Sequence, residues 1–107
     1  MNFTEYQTLA MRTTARADSD ALLLNGVMGL CGEAGECIDL MKKHLFQGHE
    51  LDRDKLIDEA GDCLWYLASL AGGLNVGLDE IAQKNIEKLQ KRYPDGFSAD
   101  KSIRRVT

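Results

Sequence analysis

Two pairs of carboxylates stand out by residue type and spacing. Glu33 and Glu36 lie within "GLCGEAGECIDL", and Glu59 and Asp62 within "LIDEAGDCLWYL". On a helix, side chains three residues apart lie within about 60° of each other and a turn apart at most. Each pair therefore shares one side of its helix. One such pair is usually surface charge, but here the device recurs, both times beside glycines. Four carboxylates on adjoining helices repel one another and are costly to desolvate unpaired. A divalent cation removes both objections. Oxygen donors suit a hard ion such as Mg²⁺, for which Mn²⁺ can substitute, and Mg²⁺ completes its octahedron with waters and substrate phosphates. Iron and zinc fit less well. A di-iron bundle needs Glu-x-x-His, and neither His44 nor His49 stands three after a glutamate; Cys and His at zinc spacing are missing.

A second set of residues bears on an anionic ligand. In the segment 78–93, Leu78, Ala82, Ile86, Leu89 and Tyr93 share one stripe, and Asn85, Lys88 and Arg92 line its flank. From that flank a guanidinium fork and an ammonium would reach phosphate oxygens in an interhelical groove. The same side chains would equally snorkel and pair with the acids. Spacing does not decide between the two.

The elements that must carry these residues are helical. Sustained alternation is lacking, as is any Asn-Gly or Asp-Gly hairpin turn between β-branched runs, whereas 3.6-residue periodicity is widespread. The expected helices run from about Thr4 to Ala17, from Asp20 to Phe46 with Asp18 or Ser19 as cap, from Asp52 or Asp54 to Gly72–Gly73, and from Asp79 to Tyr93, where Pro94 stops the last. Residues 94–107 read as a turn and a polar tail. The fold expected is an all-α four-helix bundle, one domain over 1–107 with its core at about 4–93. In the second helix the apolar stripe expected to face the core is Val27, Leu30, Cys31, Ala34, Ile38, Met41 and Leu45. Leu22, Gly26, Gly29, Glu33, Glu36 and Leu40 then form a second, semi-buried side. The third helix is apolar on two sides, more than one short chain can cover, so a homodimer or homotetramer is expected.

Bulk properties narrow the function. With 107 residues and 44% apolar content the chain holds one modest core. No apolar stretch reads as a membrane span and no signal pattern opens the chain, so a cytoplasmic protein without membrane association is expected. A net charge of −4 argues against nucleic-acid binding, which needs a clustered basic face. Cys31, Cys37 and Cys63 lie among apolar residues and are read as small hydrophobes filling the core.

Taken together, "GEAGE" (32–36), "DEAGD" (58–62) and "NIEKLQKRYPDGF" (85–97) resemble the MazG-like nucleoside triphosphate pyrophosphohydrolases, all-α enzymes related to the dimeric dUTP pyrophosphatases. The resemblance spans about Tyr6 to Phe97 and rests on E-x-x-E, then E-x-x-D, then N-x-x-K-x-x-x-R. It departs where many members carry one more glutamate, at Gly32. It implies hydrolysis of a standard or non-standard nucleoside triphosphate to the monophosphate and pyrophosphate. Glu33, Glu36, Glu59 and Asp62 would be the Mg²⁺ ligands, with Glu33 or Glu36 as the base. Asn85, Lys88 and Arg92 would bind substrate. Two rival expectations are a non-catalytic nucleotide-sensing or assembly module and a phosphoribosyl-nucleotide pyrophosphohydrolase. Gln7, Trp65 and Tyr66 are candidates for base contact and equally for structural roles.

Overall fold

Asn2 opens the first helix. Its side chain accepts from the Glu5 amide at 2.8 Å and donates to the Glu5 carboxylate at 3.0 Å, a reciprocal cap that sets the start ahead of the expected Thr4. The computed structural model describes residues 1–105, and its order is α1 (Phe3–Met11), α2 (Ser19–Phe46), α3 (Arg53–Gly73), α4 (Leu78–Arg92) and α5 (Ala99–Ile103). The chain is all-α, with no strand among the described residues, as expected. The tail adds a short fifth helix capped by Ser98.

α1 ends six residues before the expected Ala17. Thr13 Oγ1 donates to the Ala10 carbonyl at 2.6 Å and Thr14 Oγ1 to the Arg16 carbonyl at 3.0 Å. These hydroxyls offer the backbone an alternative to the helical ladder. Elsewhere the expected caps hold: Asp18 accepts from the Ala21 amide and Asp52 from the Lys55 amide. α4 has Gly77 at its N-cap and no local side-chain cap. Gln7 supplies one from α1, accepting from Leu78 N at 2.8 Å and donating to the Val76 carbonyl at 3.2 Å. Gln7 is therefore a structural residue, and the expectation that it contacts a base is set aside.

α2 and α3 form a long antiparallel hairpin, and glycine explains how closely they approach. A Cβ on Gly26 would fall 2.5 Å from Leu70 N, and one on Gly73 2.5 Å from Leu23 N, so only hydrogen fits at either crossing. Ser69, fully buried between them, donates to the Leu22 carbonyl at 2.8 Å. The core gathers at this end, where Ala68, Ala71, Leu78 and Ala10 are buried and Tyr6, Leu64, Trp65 and Ile81 pack around them.

This register corrects the assignment of faces on α2. Within one protomer α3 covers the Leu22–Gly26–Gly29–Glu33 side, because the glycines there permit the closest approach. The longer apolar stripe points outward: Val27 is 51% exposed, Ile38 68% and Leu45 63%. α4 departs in the same way. It contacts α1 and α3 near its start, where Leu78 is buried, while Ile86 is 48% and Leu89 39% exposed. The radius of gyration is 16.8 Å, against about 13 Å for a compact domain of this length. The cysteines are less buried than expected, with Cys31 exposed and Cys37 and Cys63 half-buried, all as free thiols. One further expectation changes: α2, at 28 residues with mean hydropathy 1.2 in its most apolar window, is long and apolar enough to cross a bilayer by length and composition alone. Such a test is also passed by helices of soluble proteins, and the same helix carries Glu33, Glu36 and Asp39.

Candidate metal and substrate site

Beyond the glycine crossings the two helices carry their acids. Glu33 from α2 and Glu59 and Asp62 from α3 each bring a carboxylate oxygen within 4.8 Å of the others. The register set at Gly26 and Gly29 brings them level, one turn further along α2. Glu33 and Glu59 are half-buried and Asp62 is exposed, so the cluster opens on one side. Glu36 lies outside this group of three. It is exposed, and its charge acts on both Glu33 and Lys43.

The electrostatics show how crowded the acids are. Glu33 is pushed up to about 7, first by a hydrogen bond with Glu59, then by desolvation, then by the charges of Glu59, Asp62 and Glu36. A carboxyl with neighbours of like charge holds its proton to higher pH. No lysine or arginine pairs with the three among the described ion pairs; Lys42 and Lys43 bind Asp39 instead, at 3.4 and 2.9 Å. Three crowded oxygen donors make a donor set that a hard divalent cation fits.

The acids end a groove. Glu33, Asp62, Trp65 and Tyr66 line a cleft of about 330 Å³. Tyr66 is seated by Gly29, where a Cβ would fall 2.1 Å from the ring. Trp65 packs edge-on to Tyr66, with centroids 5.1 Å apart and planes at 84°. Its indole N–H donates to Thr13 Oγ1 at 2.8 Å and to the Ala10 carbonyl at 3.2 Å. Both rings continue into a larger hollow of about 580 Å³ under the α1–α2 connection.

Asn85, Lys88 and Arg92 do not line this cleft. They sit on α4, which packs on α1 and α3. Asn85 and Lys88 are exposed and Arg92 is half-buried with interactions of its own. Arg104 and Arg105 are exposed, with Arg104 paired to Asp100 at 3.4 Å.

The fold and the cluster together define an all-α helical hairpin that gathers three carboxylates able to hold a cation at one end. The MazG nucleotide pyrophosphohydrolase domain matches residues 24–97, and the chain belongs to that family. It is 44% identical over 73 residues to the Gene 37 protein of Mycobacterium phage L5, a stretch covering 64% of this chain and 64% of that protein. No solved structure matches the chain.

Proposed function

We propose that the protein is a Mg²⁺-dependent nucleoside triphosphate pyrophosphohydrolase, releasing pyrophosphate and the nucleoside monophosphate. The observation that carries this reading is the gathering of Glu33, Glu59 and Asp62, from two helices, within 4.8 Å in a chain of the MazG family. These three are the proposed metal ligands, with Glu36 beside them. A bound Mg²⁺, or Mn²⁺ in its place, would offset triphosphate charge and polarise the anhydride.

The chain's own residues account for the remaining steps. Water attacks the α phosphorus and forms the new P–O bond. The bond from that phosphorus to the bridging oxygen breaks, and pyrophosphate leaves with the electron pair. The proton of the water passes to a carboxylate. Glu36 is the better placed acceptor, because it stands outside the group of three yet close enough to feel it. Tyr66, wedged on Gly29, walls the cleft and keeps the substrate against the acids.

The assembly is proposed to be a homodimer or homotetramer. Leu24, Met28, Ile38 and Leu45 are each more than 60% exposed along α2, and a second copy is the occupant that an open, elongated protomer of 16.8 Å radius of gyration calls for. Phosphate binding by Asn85, Lys88 and Arg92 belongs to this reading too, with α4 of one copy reaching the cleft of another. No nucleic acid is a partner, and the working compartment is the cytoplasm.

The test is a panel of ribo- and deoxyribonucleoside triphosphates with Mg²⁺, scored separately for pyrophosphate and orthophosphate. Pyrophosphate from at least one of them is expected, abolished by chelation. Orthophosphate alone, or no product from any, would contradict the reading.

A further inference from the structure

The two acid motifs share more than their acids. Residues 33–37 read Glu-Ala-Gly-Glu-Cys and residues 59–63 read Glu-Ala-Gly-Asp-Cys, so each helix places a cysteine four residues after its first glutamate. Four residues along a helix return to the same side, one turn further on. Glu33 and Glu59 meet across the α2–α3 pair, joined by a hydrogen bond. Cys37 and Cys63 therefore flank the same seam, each one turn beyond its glutamate.

Their surroundings set these two thiols apart from the third. All three cysteines are free, but Cys31 is exposed, whereas Cys37 and Cys63 are half-buried. Cys63 is hydrogen-bonded with Cys37. After burial itself, Cys37 is what most opposes ionisation of the Cys63 thiol, ahead of Glu33 and Asp62. The strongest partner of Cys63 is thus the other thiol, and a cysteine that only fills space needs no such partner.

The hairpin also has an end that a covalent bond would secure. Gly26 and Gly73 lock the two backbones together at one end, and Ser69 adds a bond to the Leu22 carbonyl there. At the acidic end a Cβ on Gly35 or Gly61 would meet nothing within 4 Å, and the crowded carboxylates oppose close approach of α2 and α3.

We infer that Cys37 and Cys63 are a redox-sensitive pair that closes into a disulfide, tying α2 to α3 beside the acids. With hydrogen peroxide as the oxidant, one thiolate attacks a peroxide oxygen. The O–O bond breaks, and a sulfenic acid and hydroxide form. The second thiol attacks the sulfenic sulfur; the S–S bond forms, the S–O bond breaks, and that oxygen leaves as water. The two sulfurs lose two electrons, the peroxide gains them, and both thiol protons end in water. A dithiol reductant reverses the closure. The bond encloses the α2–α3 connection in a covalent ring over residues 37–63, which restricts the unfolded chain and raises the melting temperature. None of this depends on the proposed hydrolysis.

The test uses Cys31→Ser, a change at an exposed position that leaves only these two cysteines. The protein is treated with hydrogen peroxide in chelator, without nucleotide. Its intact mass under denaturing conditions and its melting temperature are read before and after dithiothreitol. The expected product is a single chain that has lost two hydrogens and melts at least about 5 °C higher, both changes being undone by the reductant. In wild type, cleavage after Glu33 and Glu36 separates Cys31 from Cys37, and the linked peptides should be those of Cys37 and Cys63. An unchanged mass, oxygen added to the thiols without loss of hydrogens, chains linked only to one another, or a wild-type link through Cys31 would each overturn the inference. So would a lower melting temperature after closure, since the pair would then have to be forced together.

Discussion

The two ends of the α2–α3 hairpin use the same residue for opposite purposes. At the closed end Gly26 and Gly73 exist so that backbones can touch; a Cβ on either would lie within 3 Å of the opposing chain. At the acidic end Gly32, Gly35 and Gly61, the glycines of the two acid motifs, meet nothing within 4 Å. The closed end also holds the buried serine and alanines, while the acidic end leaves Ala60, Gly61 and Asp62 exposed. Stability is concentrated at one end and charge at the other. The closed end sets the register, and the register brings the acids level.

This contrast can be broken from either side. The largest stability effect is expected at the crossing: Gly26→Ala or Gly73→Ala forces helix backbones apart and should cost about 1–3 kcal/mol, read as a lowered midpoint in urea or heat. Because the crossing positions Glu33 against Glu59, the same variants should also weaken metal binding. Ser69→Ala removes the bond to the Leu22 carbonyl and should cost about 0.5–1.5 kcal/mol while leaving the acids in place. Gly35→Ala should do the reverse of Gly26→Ala and stabilise by about 0.5–1 kcal/mol, since the added methyl meets open space and the helix gains a better former. If Gly35→Ala proves as damaging as Gly26→Ala, that space is filled by a second copy or by substrate, and sedimentation with and without nucleotide separates these.

A pH experiment sharpens the acidic end. The Glu33 carboxyl titrates at about 7 when folded, against an ordinary 4.5. Between those values the folded state binds more protons than the unfolded one, so stability is greatest below the ordinary value and is lost as pH rises through about 7. Metal-free protein should therefore melt at a higher temperature at pH 5 than at pH 8, and Glu33→Gln should flatten that slope. A melting temperature that rises with pH over this window would count against the crowding of the three acids.

Much of this was legible in the sequence, for reasons that particular residues show. Asp18 and Asp52 cap helices through local bonds, and local chemistry is what a sequence displays best. Of the four acids singled out by spacing, Glu33, Glu59 and Asp62 come together, and Glu36 lies outside their group. The inward side of α2 was not. Counting apolar residues favoured the Val27–Ile38–Leu45 stripe, whereas the closest packing goes to Gly26 and Gly29, where an absent side chain is the determinant. The early end of α1 depends on Trp65, 52 residues from its partner Thr13, a pairing that no local pattern reveals. Gln7 was open between a structural and a ligand role, because a side chain that caps a distant helix looks, in sequence, like one free to bind a ligand.

The central claim is that Glu33, Glu59 and Asp62 act together as one cation site, and Mn²⁺ titration followed by the resonance of the free aquo ion tests it most directly. The wild-type protein should take up Mn²⁺ and yield it to excess Mg²⁺, and Glu59→Gln should bind at least about tenfold more weakly while keeping its helical content. Equal Mn²⁺ uptake by wild type and Glu59→Gln, or none by either, would contradict the account.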